Sequence, residues 1–171
     1  MKKQKILVII IIFLSVGIFT AIYLSESRGR RSISVGPAVS VEKGDLRLTF
    51  EPRVIKVNNT DAVNFRFELT NIGNTTHNEF YRWWHFYVKV YNQTDGNEIG
   101  RIMETRYEPG LAYELSLRPG ESLRGNFTWN SRSYFSGLGE YQPGKYLVSG
   151  VWWPHLVVEM ETPKTTLTIT P

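Results

Sequence analysis

Few residues of this chain have the types and spacing for chemistry. His77, His85 and His155, with Met103 and Met160, offer imidazole and thioether groups of the kind that bind copper, but no spacing among them requires a metal. Glu159 and Glu161 stand two apart, so on a strand they share one face and read as a solvated acidic pair. Gly137-Leu138-Gly139 lies in a loop without the strand-to-helix context of a phosphate cradle. There is no cysteine, no Gly-x-Ser-x-Gly and no His-Glu-x-x-His. The residues point away from an enzyme, and neither a metal nor a small-molecule cofactor is expected.

The aromatic residues suggest contact instead of catalysis. Phe80, Tyr81, Trp83, Trp84, Trp152 and Trp153 fall in two short segments. Strand alternation buries one tryptophan of each adjacent pair, Trp84 and Trp152. Trp83 and Trp153 are then left at a rim, where with Tyr81 and Phe80 they would form a partner surface. Such a surface stacks on sugar rings, docks on a protein or lies against a membrane. The plainer alternative is an enlarged core, or a lid from Ser131 to Gln142. Asn58, Asn74, Asn92 and Asn126 each begin an Asn-x-Ser/Thr acceptor. Chance would give roughly one or two, so glycosylation is expected of a domain that faces the outside.

What must position these groups begins with a tether. Lys2, Lys3 and Lys5 precede an uncharged run from Ile6 to Leu24, and Arg28, Arg30 and Arg31 end it. Nineteen helical residues reach about 28 Å, close to the hydrocarbon thickness of a bilayer. Residues 1–31 hold six Lys or Arg against one acid, a net +5, whereas residues 32–171 hold fourteen against fifteen, a net −1. The basic pI of 9.3 therefore belongs to the flanks of the apolar run. A nucleic-acid partner needs a basic face on the domain itself, and this domain has none to spare. Residues 1–31 read as an uncleaved anchor whose residues 6–24 span the bilayer. The alternative is a signal peptide cut near Ser25 or Ser27. Flanking charges barely set the orientation, and the sequons favour a cytoplasmic amino terminus with the domain outside.

Residues 32–44 read as a linker with Gly36 and Pro37, and with a short edge strand at Ala38 to Glu42. From there to 171 the hydrophobic period is two. Leu46, Leu48 and Phe50 alternate with polar residues, as do Phe65, Phe67 and Leu69. The same holds for Trp84, Phe86, Val88 and Val90, for Leu123, Phe127 and Trp129, and for Leu167 and Ile169. Turn chemistry separates the runs at Asn71-Ile72-Gly73-Asn74, Asp95-Gly96-Asn97, Arg118-Pro119-Gly120-Glu121 and Gln142-Pro143-Gly144-Lys145. No 3.6-residue period follows Leu24. The expectation is one all-β domain over 45–171, an antiparallel immunoglobulin-like sandwich of seven to nine strands, preceded by one transmembrane helix.

The order of features from Phe65 to Trp152 is more specific. Phe65-Arg66-Phe67-Glu68-Leu69-Thr70-Asn71 is followed by Tyr87-Val88-Lys89-Val90-Tyr91 and Asp95-Gly96-Asn97-Glu98. Leu115-Ser116-Leu117-Arg118-Pro119-Gly120-Glu121, Phe127-Thr128-Trp129 and Pro143-Gly144-Lys145-Tyr146 complete the series. This resembles the intracellular proteinase inhibitor (BsuPI) family, with its strand ending in Asn, its Asp-Gly hairpin, and its Pro-Gly-Glu and Pro-Gly-x-Tyr turns. The resemblance implies an immunoglobulin-like scaffold and, for function, a loop presented to a proteinase. The candidate loops are Tyr107 to Tyr113 and Ser131 to Gln142. A looser similarity of layout alone links the chain to archaellum stator proteins. The reading is a single-pass membrane protein carrying a non-catalytic binding or assembly module, its partner another cell-surface protein. A proteinase inhibitor, or a carbohydrate-binding or surface-layer protein, is the alternative.

Overall fold

In the computed structural model, residues 32–58, 60–81, 86–103, 113–130, 143–153 and 159–170 are described. The anchor read over 1–31 lies outside them, and no helix among the described residues is long and apolar enough to cross a membrane. The described residues form twelve strands. They are β1 (Ser32–Val35), β2 (Val39–Lys43), β3 (Leu46–Val57), β4 (Thr60–Asn71), β5 (His77–Tyr81) and β6 (Phe86–Asn92). After these come β7 (Glu98–Met103), β8 (Tyr113–Leu117), β9 (Ser122–Asn130), β10 (Gly144–Trp152), β11 (Met160–Glu161) and β12 (Thr165–Thr170). Every pairing is antiparallel.

One sheet runs β1-β12-β10-β6-β7, with β11 beside β10; a second runs β2-β3-β4-β9; β5 and β8 form a separate ribbon. The alternating residues do what a period of two requires. Leu48, Phe50, Phe65, Phe67, Leu69, Val88, Val90, Leu167 and Ile169 are buried, and residues of both larger sheets share one core. A second cluster, of Leu46, Leu48, Leu69, Leu115, Leu117, Trp152 and Met160, lies toward the β5–β8 ribbon.

The two sheets approach closely at two glycines. A Cβ at Gly150 on β10 would stand 2.5 Å from Cβ of Phe50 on β3. A Cβ at Gly125 on β9 would stand 2.5 Å from Cδ2 of Phe86 on β6. Each sheet thus leaves a gap for a phenylalanine of the other. The rings so admitted join a chain, with centroids 5.2 Å apart for Phe50 and Phe67 and 5.0 Å apart for Phe67 and Phe86. Such offset pairs add about 0.5–1.5 kcal/mol each beyond their burial.

Two expectations are corrected. The stretch 32–44, read as a linker, carries β2 (Val39–Lys43) where its short edge strand was expected, and it carries β1 as well. Ser32–Val35 pairs with Val35↔Leu167 to Ser32↔Thr170 register on β12, and Ile33 enters the core. Gly36 and Pro37 carry the chain from one sheet to the other, with Gly36 N–H donating to Thr166 O and Thr165 Oγ1 donating to Pro37 O. Breaker residues here mark a crossing between sheets. The strand count also exceeds seven to nine, because β1, β5, β8 and β11 are short and lack a run of alternation long enough to read.

The turn at Asp95-Gly96 closes the β6–β7 hairpin as its sequence implies. Gly96 has a φ of 71°, its N–H meets Asn92 O at 2.9 Å, and Asn97 N–H meets Asp95 Oδ1 at 2.9 Å. The turn at Asn71 is more than a turn. Asn71 is fully buried, and its Nδ2 donates to Thr75 O at 2.7 Å and Leu117 O at 2.8 Å. Its Oδ1 accepts Gly73 N–H at 2.9 Å. One amide therefore binds the end of β4, the following loop and β8.

Candidate functional site

The outer faces of the two sheets differ, and the contrast locates the site. On the β6–β10 sheet, Lys89 on β6 faces Ser149 on β10 and Arg101 on β7. Lys89 donates to Glu161 at 2.8 Å and also to Glu159. Tyr87 donates to Glu159 at 3.1 Å, Ser149 donates to Glu161 at 2.7 Å, and Tyr91 also donates to Glu161. Two cations cap the tyrosine rings, the Arg101 guanidinium 5.3 Å from Tyr87 and Lys164 Nζ 3.7 Å from Tyr91.

This corrects the reading of Glu159 and Glu161 as a solvated pair. Their side chains are only 33% and 30% exposed, and the Lys89 side chain 11%. Burial pushes the Glu161 carboxyl up, but hydrogen bonds from Lys89, Tyr91 and Ser149 outweigh it and hold the group below its ordinary range. Burial is likewise the largest influence on Lys89, lowering it, and the two glutamates reverse the direction. Burial, aided by Glu159, pushes the Tyr87 phenol to about 12, and burial with the bond to Glu161 does the same for Tyr91. The shifts of Glu161, Lys89, Tyr87 and Tyr91 all run away from neutrality, and each named charge already has its partners. The network is a clasp that holds β11 against β6 and β10.

The outer face of the β2–β3–β4–β9 sheet is open. A groove of about 600 Å³ is lined by Thr49, Glu51, Asn64, Arg66, Glu68, Arg124 and Asn126, with Ile55 at one end. These are the outward positions of three adjacent strands, with Glu51 opposite Arg66 and Arg66 opposite Asn126. Glu68 binds Arg124 at 2.8 Å, and Glu51 binds Arg53 at 2.7 Å. Arg66 spends only its Nε, on Asn64 Oδ1 at 3.1 Å. Among the described residues nothing meets its terminal nitrogens. A fork of N–H donors, amides and paired charges on a firm sheet suits a polar partner. Single-residue reasoning missed this groove, because each member is an ordinary outward strand residue. The missed signal was register, which places Glu51, Arg66 and Asn126 in one row.

The sequence-derived site residues separate. Asn58 is exposed in the β3–β4 turn, at a φ of 49°, and Asn74 is exposed in the loop after β4. Asn92 is half-buried and its Oδ1 accepts Thr94 N–H at 2.8 Å. Asn126 is exposed inside the groove, so a glycan there would fill it. Trp152 is buried, whereas Trp153 is 43% exposed. Phe80 and Tyr81 lie on β5 in register with Glu114 and Tyr113 of β8, their side chains outside the description. Trp83, Trp84, His85, His155 and both candidate inhibitor loops except the start of β8 lie outside the described residues.

Of the candidate copper ligands, Met160 is buried in the second core and Met103 is 52% exposed on β7. His77 lies 3.3 Å from Glu79 on the same strand. Among the described residues no group of three His, Cys, Asp or Glu side chains is placed to hold a metal ion. No protein-family model matches the chain, and no curated protein matches it.

Proposed function

We propose that this chain is a membrane-tethered, non-catalytic binding or assembly module. In this reading an immunoglobulin-like sandwich stands on the extracellular side, anchored through residues 6–24, and docks a polar surface of another cell-surface protein. The observation that carries it is the groove on the β2–β3–β4–β9 face, where Arg66 offers unspent donors amid paired charges. The contrast between faces supports it, since the opposite sheet has closed its own charges into the clasp. The order of motifs shared with the BsuPI family fits the same scaffold.

The test is co-purification of the full chain from detergent extract. Wild type is expected to bring down one envelope protein, and Arg66→Glu with Arg124→Glu to lose it while keeping wild-type thermal unfolding. Recovery of the bait alone from wild type, or unchanged recovery with the double variant, contradicts the reading.

A further inference from the structure

The β3–β4 hairpin projects past β2, while β9 accompanies β4 as far as Ala62. Strand β2 pairs with β3 only up to Phe50, leaving residues 51–57 with β4 as their partner in that sheet. Pro52 sits in this overhang, a residue without an N–H to offer a further strand, so the edge is blunted against pairing. What the overhang does offer is its tip. Val54 is 39% exposed and Val57 37% exposed, two of the five large hydrophobic residues so exposed among those described. Between them, Lys56 has a side chain 71% exposed.

The place of this tip in the molecule matters more than its composition. Asp61, one residue from the turn, accepts the Ile33 backbone N–H at 3.2 Å and also pairs with Lys56. The tip is therefore fastened to the first strand of the domain, at the end from which the chain runs back toward Arg31. From Leu24, the last apolar residue of the 6–24 run, to Ser32 is eight residues. Fully extended they span at most about 26–29 Å. A twelve-residue strand such as β3 is about 40 Å long, so this tether cannot bring the far end of the domain down while β1 stays at the near end. Asp61 holds Ile33 one residue pair from the turn, so the tip stands at the level of β1. Aliphatic side chains at the tip, above a tether that carries Arg28, Arg30 and Arg31, match a lipid surface, with Lys56 already paired to Asp61 between them.

We propose that the tip of the β3–β4 hairpin, through Val54, Val57 and the stem of Lys56, rests in the headgroup layer of the membrane and sets the domain upright on it, which requires Asn58 in the turn to carry no glycan. The inference rests on the reading of residues 6–24 as a bilayer span. In this pose the groove faces sideways along the cell surface, and the Pro119-Gly120 turn points away from the bilayer.

The chain has no cysteine, so one introduced cysteine labels one place. The full chain in phosphatidylcholine–phosphatidylglycerol vesicles is labelled with a fluorophore at Val57→Cys, Thr60→Cys, Pro119→Cys or Ile12→Cys in turn, and quenched by lipid-borne nitroxide. Quenching at positions 12, 57 and 60, severalfold stronger than at 119, is the expected result. Quenching at 12 with positions 57 and 60 no more affected than 119 overturns the tip contact and leaves the tether standing. Absence of quenching at 12 removes the tether, and this inference with it. Equal quenching at 57, 60 and 119 means a domain lying on its side, which also contradicts the upright pose.

Discussion

Lys89 Nζ lies 2.8 Å from Glu161 Oε2 and at the same time holds Glu159, so one ammonium fastens a late segment of the chain to a central strand. Strand β11 has only two residues and pairs with β10 through Val151↔Glu161 and Trp152↔Met160. So short a strand has little ladder of its own, and the clasp supplies what the ladder does not. Lys89→Met keeps the bulk of the side chain and leaves two partly buried carboxylates short of their cation. The expected loss is about 1–3 kcal/mol, below that of a fully buried pair because the glutamates keep about a third of their exposure. Chemical denaturation of the purified domain measures it, and a loss under about 0.5 kcal/mol would make the clasp incidental.

The same clasp sets how stability depends on pH. Glu161 has a folded pKa below its ordinary 4.5, so its contribution is present above that value and is lost as pH falls through the folded one. Tyr87 and Tyr91 have folded values near 12 against an ordinary 10.0, so their contributions are present below 10 and vanish as pH rises toward 12. Unfolding free energy is expected on a plateau between about pH 5 and about pH 10, declining on both sides. Phenolate absorbance gives an independent readout, with at least two of the nine tyrosines titrating late. A steady change across neutral pH in the stability difference between wild type and Lys89→Met would contradict this assignment.

The two glycines where the sheets meet differ in how much their neighbours can yield. At Gly150 the obstacle is Phe50 Cβ, fixed to the backbone of a fully buried residue; at Gly125 it is the ring edge of half-buried Phe86, which can swing. Gly150→Ala is expected to cost about 1–3 kcal/mol as an overpacked core, and Gly125→Ala clearly less. Thermal unfolding of the two variants side by side gives the order, and a reversed order would mean that the sheets separate more easily than the Phe50 contact implies.

Asn71 is a buried amide with each polar atom in use. Asn71→Leu fits the volume but strands the carbonyls of Thr75 and Leu117 and the N–H of Gly73. A loss of about 3 kcal/mol or more is expected, together with faster amide exchange in β8. Unchanged exchange at Leu115 and Leu117 would show that β8 does not depend on this residue.

How much of this was legible in the sequence depended on the range of the interaction. Alternation from Leu46 to Phe50, from Phe65 to Leu69 and at Leu167 and Ile169 is local, and it marked the strands and their buried faces correctly. Asp95-Gly96 is a local turn signal and was equally plain. Gly36-Pro37 is local too, but a breaker between two sheets looks like a breaker in a linker until the partner Thr166 is known. Glu159 and Glu161 read as solvated because Lys89 is seventy residues away in sequence and adjacent only in the fold. The groove was unreadable for the same reason. Arg66 and Asn126 become neighbours through β4–β9 register, which no window of sequence contains. Alternation did place Trp152 inside and Trp153 outside.

The open polar face is the surface proposed to meet the partner of this domain. A photo-crosslinking residue placed at Thr49, which lines the groove beside Arg66, and in a second chain at Thr166 on the outer face of the opposite sheet, tests it in intact cells. Position 49 is expected to give one discrete adduct with another envelope protein, lost when Arg66→Glu is added, while position 166 gives none. Adducts from both positions alike, or from neither, would contradict the account.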